Sequence, residues 1–481
     1  MSNSSTNSNL GENIIRAITE KLSTEKPDTD AQKAAVKAFN GKVKAFNVDL
    51  LATSGDITMT WTSPMYSKLY SNDSSINPLS RPITSEEDAY IASLINIGAM
   101  VGGIPFSFIS DRFGIVHIIS YLSMAFATTV DIFYFGRAFG GLAVGAGYTL
   151  LPIYIAEVAE EEDRGLYSMT LTIFWALGNF MPYLVGPFLS GRMFNLFNAV
   201  FPIAFFISFL FLGTETPFYL VGADKMEEAE KVLMVLRSQD EKGVQNELNH
   251  IKDTLKQEEE TPPSFKNIFI NPGIRKAFII SIALLSFQQF SGWNAITFYL
   301  QPIFESSGTI LPSHISSMII GVSIMIFSLP APYFADKFGR KTLLICSSTL
   351  MAICLFILGT FFYFENRTSF NIEPIAWIPI TSLLIMVFAF ENGMACVPWT
   401  VSSELFPKNF KKMSASTTSA ACWITSFLMT QFFNDMTDVF GKDGTFLFYG
   451  MFSLGCGVFT WFYIPETRGK TFKEIQQLLQ K

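Results

Sequence analysis

Gln288 and Gln289 stand side by side in a run of 28 residues, 277–304, that carries no charged side chain. Amides in such a run are costly against lipid, because hydrocarbon leaves their donors and acceptors unmatched. Asn294 lies six residues beyond Gln288, about 600° of helical turn and so about 120° round an ideal helix. A break at Ser291-Gly292 would bring it toward the same face. Glu391 is the one acid well inside a later apolar run, and Trp399 follows eight residues on, about 80° round, with Pro398 available to bend the segment. A buried acid without a partner is protonated or faces water. Amides that hydrogen-bond and indoles that cover C–H surface suit a neutral solute rich in hydroxyls, held away from bulk water. The competing reading is that the amides only join neighbouring helices.

The elements that hold such residues must be membrane-spanning helices. The 481 residues are 49% hydrophobic and 16% charged, with 49 Phe and a mean hydropathy of +0.32, against about 25% charged in soluble chains. Charge-free runs occupy 89–109, 165–191, 193–213, 277–304, 306–335, 342–364, 413–434 and 444–464, and shorter or once-interrupted ones occupy 113–130, 138–156 and 375–403. A span needs about 20 mostly apolar residues, so these make eleven. The segment 45–66 holds Asp49 and Asp56, and parity with the repeat described below makes it the twelfth.

The same composition excludes other functions. A net charge of −7 with no dense Lys/Arg run removes the footprint of a nucleic-acid binder. Cys346, Cys354, Cys396, Cys422 and Cys456 lie in apolar stretches without paired spacing, and the chain has three His, so neither a disulfide framework nor a metal site is expected. No cofactor is expected, and no nucleophile–base pair or phosphate loop marks an enzyme. The polar start of the chain lacks the order of a cleavable signal, so insertion is expected to rely on internal helices.

With twelve spans both termini share one side. Loops after even-numbered spans carry Arg112, Arg164, nine Lys/Arg between 221 and 276, then Lys337, Arg340, Lys341, Lys408, Lys411 and Lys412; the opposite loops carry Lys68, Arg81, Arg192, Arg367 and Lys442. Basic residues mark the cytoplasmic side, so both termini are expected in the cytoplasm of a multi-pass cell-membrane protein. The sequons Asn72-Asp-Ser and Asn366-Arg-Thr then fall in exterior loops as glycosylation candidates.

A polar interlude divides the chain into a cytoplasmic tail at 1–44, six spans over 45–213, a cytoplasmic helical linker at 214–274, six spans over 275–465, and a second tail at 466–481. The halves repeat each other. Asp111-Arg-Phe-Gly recurs as Asp336-Lys-Phe-Gly-Arg-Lys, Glu157 as Glu404, each followed seven residues on by a base, Arg164 or Lys411, and Glu215-Thr-Pro as Pro465-Glu-Thr. The expected fold is an all-α membrane protein of two pseudo-symmetric six-helix bundles about a central site, the major facilitator architecture. Repetition of these charges at matched helix ends favours an ion-pair latch over ordinary solvated charges. In the second half it would join Glu404 to Arg340, Lys341 and Lys411 near Asp336. In the first, Ile115-Val116 stand where bases are expected, which leaves Arg112, Arg164 and His117 for Glu157 and Glu215.

The chain resembles the sugar porters of the major facilitator superfamily over about residues 45 to 478, and within them the insect facilitated trehalose transporter-like group. The markers are Gly136-Arg137 with Gly140, Gly145 and Gly147, then Pro152-Ile-Tyr-Ile-Ala-Glu157, then Gln288-Gln289-Phe-Ser-Gly292-Trp-Asn294 through Tyr299. Pro398-Trp399 through Glu404-Leu-Phe-Pro407 and Pro465-Glu-Thr-Arg-Gly-Lys470 follow in order. The insect leaning rests on Trp61-Thr-Ser-Pro64 and Asn77-Pro-Leu-Ser-Arg-Pro82.

The resemblance implies that Gln288, Gln289, Asn294, Glu391, Trp399 and Trp423 contact sugar. Three positions depart from the glucose-carrier pattern: Thr172 stands for a Gln, Ile324 for an Asn and Cys422 for an Asn beside Trp423. Fewer amides point away from glucose itself and toward a disaccharide or glycoside. Proton-driven relatives carry an acid in span 1 near the level of Arg137, where this chain has Ile57 or Thr58. Asp56 is adjacent; it either substitutes as a coupling group or pairs with Arg137, which low dielectric would strengthen. The expected function is facilitated transport of a neutral sugar or glycoside by a monomer, with proton symport, or a non-transporting sugar receptor on the same scaffold, as alternatives.

Overall fold

The computed structural model describes residues 46–103, 113–160, 164–260, 271–307, 311–407, 410–470 and 472–480. The expected tail at 1–44 and part of the expected linker, 261–270, lie outside them. Twelve helical spans form two bundles of six. Six described helices are long and apolar enough in one piece to cross a bilayer, among them Val130–Val158, Arg340–Arg367 and Phe433–Tyr463. Others are broken: span 1 runs 46–60 and Thr62–Leu69, and span 8 runs Ser313–Ser328 and Ala331–Phe338 with Pro330 between.

Polarity is inverted relative to a soluble protein. Phe462 is 73% exposed, and Met451, Phe188 and Trp461 face outward with it, whereas Asp49, Asp56, Arg137, Asn195 and Asn198 are buried. An apolar surface of that extent belongs against lipid.

Small residues set the first half's tightest joint. A Cβ added to Gly98 would overlap the Ala138 carbonyl oxygen, one on Gly102 that of Leu142, one on Gly141 that of Ile95 and one on Gly145 that of Ala99. Spans 2 (Ser85–Gly102) and 4 (Val130–Val158) therefore touch backbone to backbone through two glycines each, four residues apart. Arg137 lies beside this joint, fully buried. Its Nε donates to the Ile91 carbonyl at 2.9 Å and its Nη1 to the Thr58 carbonyl, with the guanidinium 5.2 Å from the Trp61 ring centroid.

Between the halves, helices Pro217–Gly222, Met226–Arg237 and Glu241–Glu260 pack around their own core of Leu220, Leu233, Val244 and Ile251. Arg237 ties them to span 4: it donates to the Val158 carbonyl at 2.9 Å and pairs with Glu247 at 2.6 Å. The last helix, Phe472–Gln480, buries Ile475 and Leu479, and its Gln476 amide donates to the Leu405 carbonyl at 3.0 Å.

Several hydrogen bonds between the two halves lie at the end of the bundle away from the linker. At this distal seam Tyr299 of span 7 donates to Asp88 Oδ1 of span 2 at 2.6 Å and stacks on Tyr66 (5.2 Å) and Phe433 (4.6 Å). Tyr70 donates to Asp88 Oδ2 at 2.6 Å. Gln301 N–H donates to Ser63 Oγ at 2.9 Å, Ser67 Oγ to Glu305 at 3.1 Å and Tyr183 OH to the Thr297 carbonyl at 2.8 Å. Tyr299→Phe keeps the stack and removes the bond to Asp88, leaving a buried carboxylate one donor short. The expected result is several-fold faster labelling, by a membrane-impermeant maleimide, of a cysteine placed at Ser67. Unchanged labelling would show that the seam is held elsewhere.

Asn72 is exposed in the loop after span 1. Asn366, expected in a loop, lies exposed in the last turn of the span 9 helix instead. The helix continues because Arg367 is anchored to Asp443 at 2.9 Å and to the Phe440 carbonyl at 2.9 Å.

Candidate functional site

Span 7 breaks where Ser291-Gly292 interrupt it: Pro272–Phe290 ends, Gly292 adopts φ +78°, and short helices Trp293–Phe298 and Leu300–Glu305 follow. A side chain at Gly292 would also collide with the Tyr449 ring. Span 10 is interrupted too. Ile378–Ala389 widens into a π turn at Phe390–Met394, which carries Glu391, before Val397–Glu404 resumes. Pro398 has no N–H, so the Met394 carbonyl four residues earlier loses its helical donor. Gln288 supplies one: its Nε2 donates to the Met394 carbonyl at 2.6 Å and to that of Ala395 at 3.0 Å. Both amide hydrogens of Gln288 are thereby committed to protein, and its Oε1 is the atom left toward Gln289.

The other amides form one chain of bonds. Asn294 Nδ2 donates to Gln289 Oε1 at 2.8 Å and to Ser426 Oγ of span 11 at 2.7 Å. Ser426 donates to Asn96 Oδ1 of span 2 at 2.9 Å, and Asn96 Nδ2 to Thr430 at 3.0 Å. Gln289 Nε2 reaches Cys422 Sγ at 3.3 Å. The network joins the two halves through Asn96.

The opposite wall comes from the first half. Asp56, 1% exposed, accepts the Tyr148 hydroxyl on Oδ1 and the Asn179 amide on Oδ2, each at 2.6 Å. Tyr148 stacks on Trp175 (5.1 Å, 12°) and meets the Trp423 ring edge-on (5.8 Å, 82°). The Trp423 indole N–H is buried without an acceptor among the described residues. Glu391 is half-buried and lies within electrostatic reach of both Asp56 and Tyr148. Trp399 is half-buried on the helix after the π turn. Thr172 is half-buried and returns its hydroxyl to the Ser168 carbonyl at 3.1 Å, so that bond uses its one hydrogen. Ile324 is buried in the core.

Against known proteins, the family model described as "Sugar (and other) transporter" matches residues 34–479. The chain belongs to the sugar transporter family. It is 32% identical over 406 residues to "Facilitated trehalose transporter Tret1" of Apis mellifera ligustica, covering 82% of this chain and 80% of that one. It is 29% identical over 478 residues to the protein of the same name in Anopheles gambiae, covering 96% of this chain and spanning 59% of that relative's length. Among solved structures, the inward open conformation of the xylose transporter XylE from E. coli has a TM-score of 0.72 at 24% identity, covering 90% of this chain and 99% of that one. XylE bound to 6-bromo-6-deoxy-D-glucose has a TM-score of 0.69 at 23% identity, covering 91% and 100%. These likenesses are in fold. The chain is thus a multi-pass membrane protein of a transporter family, with the major facilitator fold.

Two readings of this sugar transporter's charges need correction. Asp56 does not pair with Arg137, because Arg137 is held by the carbonyls of Ile91 and Thr58 and Asp56 by neutral donors. His117 does not serve Glu157 or Glu215: it is 1% exposed, stacks on Tyr121, and both its ring nitrogens lack partners among the described residues.

At the linker end Arg340 pairs with Glu404 at 3.2 Å. Lys341 lies off that pair and donates to the Trp461 carbonyl at 2.7 Å, and Lys411 is exposed without an ion pair among the described residues. Glu466, of the repeated Pro-Glu-Thr, caps span 9: Arg340 N–H and Lys341 N–H donate to its two oxygens at 3.0 and 3.1 Å. Gly339, at φ +85°, leaves room for it, since a Cβ there would sit 2.6 Å from Glu466 Oε2. Half-burial opposes ionisation of Glu466, yet backbone donors of Arg468, Arg340, Lys341 and Thr467 hold its carboxyl below the usual range. Arg112 lies outside the described residues, as do the side chains of Arg164 and Asp336. Glu157 lies at the inner end of span 4, and Glu215 within electrostatic reach of Tyr154.

Asn96, Ser426, Tyr148, Trp175 and Asn179 join the site without having been expected there. Asn96 and Asn179 carried a usable signal, since each is an amide inside an uncharged run, as Gln288 is.

Proposed function

We propose that this sugar transporter moves a neutral sugar or glycoside, of the trehalose or hexose class, across the cell membrane by alternating access and as a facilitator. The observation that carries the reading is the convergence of amides, hydroxyls and indoles from both halves, which we take to line the cargo chamber, with the Tyr299–Asp88 seam to one side. The Lys/Arg-rich linker end is cytoplasmic and the distal end, with Asn72 and Asn366 as glycosylation sites, is exterior. The seam described above is then an exterior closure. Glu157, Glu215 and the bases near them latch the cytoplasmic side when the carrier faces outward, whereas the Arg340–Glu404 pair, internal to the second half, is formed in this state as well.

Gln289, Asn294, Glu391, Trp399, Trp423, Thr172 and Cys422 contact the cargo, and Gln288 holds the bend that presents them. Facilitation rather than proton symport is supported by the name of the relatives, facilitated trehalose transporters. The protein works as a monomer, with its N-terminal segment to residue 44 as a cytoplasmic tail. Purified protein in vesicles with equal pH on both sides is expected to show saturable uptake and counterflow of labelled trehalose or hexose. Uptake that strictly requires an inward proton gradient and is lost in Asp56→Asn would replace the reading by symport.

A further inference from the structure

Two carboxylates from opposite halves, Asp56 and Glu391, have no ion pair to a base among the described residues. Both oxygens of Asp56 accept short bonds from neutral donors, Tyr148 and Asn179 at 2.6 Å, which fixes an acceptor geometry on the whole carboxylate. Glu391, on the π turn opposite, lies within electrostatic reach of it. Arg137, the base buried in that half, is taken by two backbone carbonyls. Close like charges shielded from water are costly unless a third group compensates them.

An independent observation points to a ligand at the same place. Trp423 is 4% exposed, its indole N–H has no acceptor among the described residues, and its ring abuts Tyr148, the residue that holds Asp56. Buried donors in folded proteins are satisfied by protein, water or ligand. The rings of Tyr148, Trp175 and Trp423 add π faces of the kind that receive ammonium groups. A proton alone would neutralise one acid and leave the indole donor unmatched. A single cargo bearing both an ammonium and ring oxygens answers the two acids, the aromatic faces and the indole together.

We propose that the chamber prefers cargo with a protonated amine on a hydroxylated ring, an amino sugar or an amino-bearing glycoside, with Asp56 and Glu391 as its counter-ions and Trp423 as donor to one of its oxygens. This rests on the sugar-transport reading and changes only the charge of the preferred cargo. Tyr148 and Asn179 position Asp56; neutral sugars are weaker cargo.

The test uses the full chain in vesicles at a pH of about 6.5 on both sides, where a sugar amine is mostly protonated. Labelled glucosamine, glucose and N-acetylglucosamine are compared, the last having the same ring with a neutral nitrogen. Glucosamine is expected to half-saturate at about tenfold lower concentration than either, the margin of a charge-assisted over a neutral hydrogen bond. In Asp56→Asn the ratio of glucosamine to N-acetylglucosamine affinity is expected to fall to about one, from the same charge-assisted margin. Equal half-saturation in the unmodified protein, or a ratio that survives Asp56→Asn, overturns the inference; if that variant does not fold, the first comparison decides alone. Flux of neutral sugars without amine preference sinks only this inference, whereas no flux of any sugar sinks the transport reading beneath it.

Discussion

Gln289→Ala is expected to lower sugar flux per folded molecule by about a hundredfold or more. Gln289 Oε1 is the acceptor that orients Asn294, and Asn294 in turn holds Ser426, which reaches Asn96 in the other half. Removing one member leaves a buried donor of Asn294 unmatched at about 1–3 kcal/mol and takes away a cargo contact at the same stroke. The two losses together reach the stated factor, since about 1.4 kcal/mol is tenfold. Counterflow measured with the amount of folded protein fixed by its melting curve is the check. Flux above a tenth of the unmodified rate would mean that the amide chain is a helix–helix joint and no more.

Gly98→Leu is expected to abolish the folded protein rather than its activity. The new side chain would begin inside the Ala138 carbonyl, and that neighbour is backbone of the partner helix, which cannot swing aside. Overpacking a core costs about 1–3 kcal/mol where side chains can yield and more where they cannot, against a total of about 5–15 kcal/mol. Gly165→Ala is the control, since nothing lies within 4 Å of a Cβ there, and it is expected to purify as the unmodified chain does. Recovery of monodisperse Gly98→Leu protein with an unchanged melting temperature would refute the joint.

Local chemistry made much of this legible. Ser291-Gly292 announced the break in span 7 and Pro398 a bend in span 10, because each breaks a rule that a lipid-buried helix otherwise keeps; the π turn at Phe390–Met394 was not foreseen. The pairing of distant groups was not legible. Pro398 implies an orphan carbonyl at Met394, but nothing local says that Gln288, 106 positions earlier, fills it. Asp56 could be seen as a buried acid, and the base suggested for it was Arg137; its actual partners are 92 and 123 residues away and neutral. Lys341 shows the same limit. Its long flexible stem reaches the Trp461 carbonyl as readily as a carboxylate.

Where spans 2 and 4 meet, glycines face backbone with no side chains in between to deform or re-rotamer, so that pair has no slack to give. Interruptions that could take up a bend lie in other spans, at Trp61 in span 1, Gly292 in span 7, Pro330 in span 8 and the π turn with Pro398 in span 10, so any relative movement must pass around the joint of spans 2 and 4 and not through it.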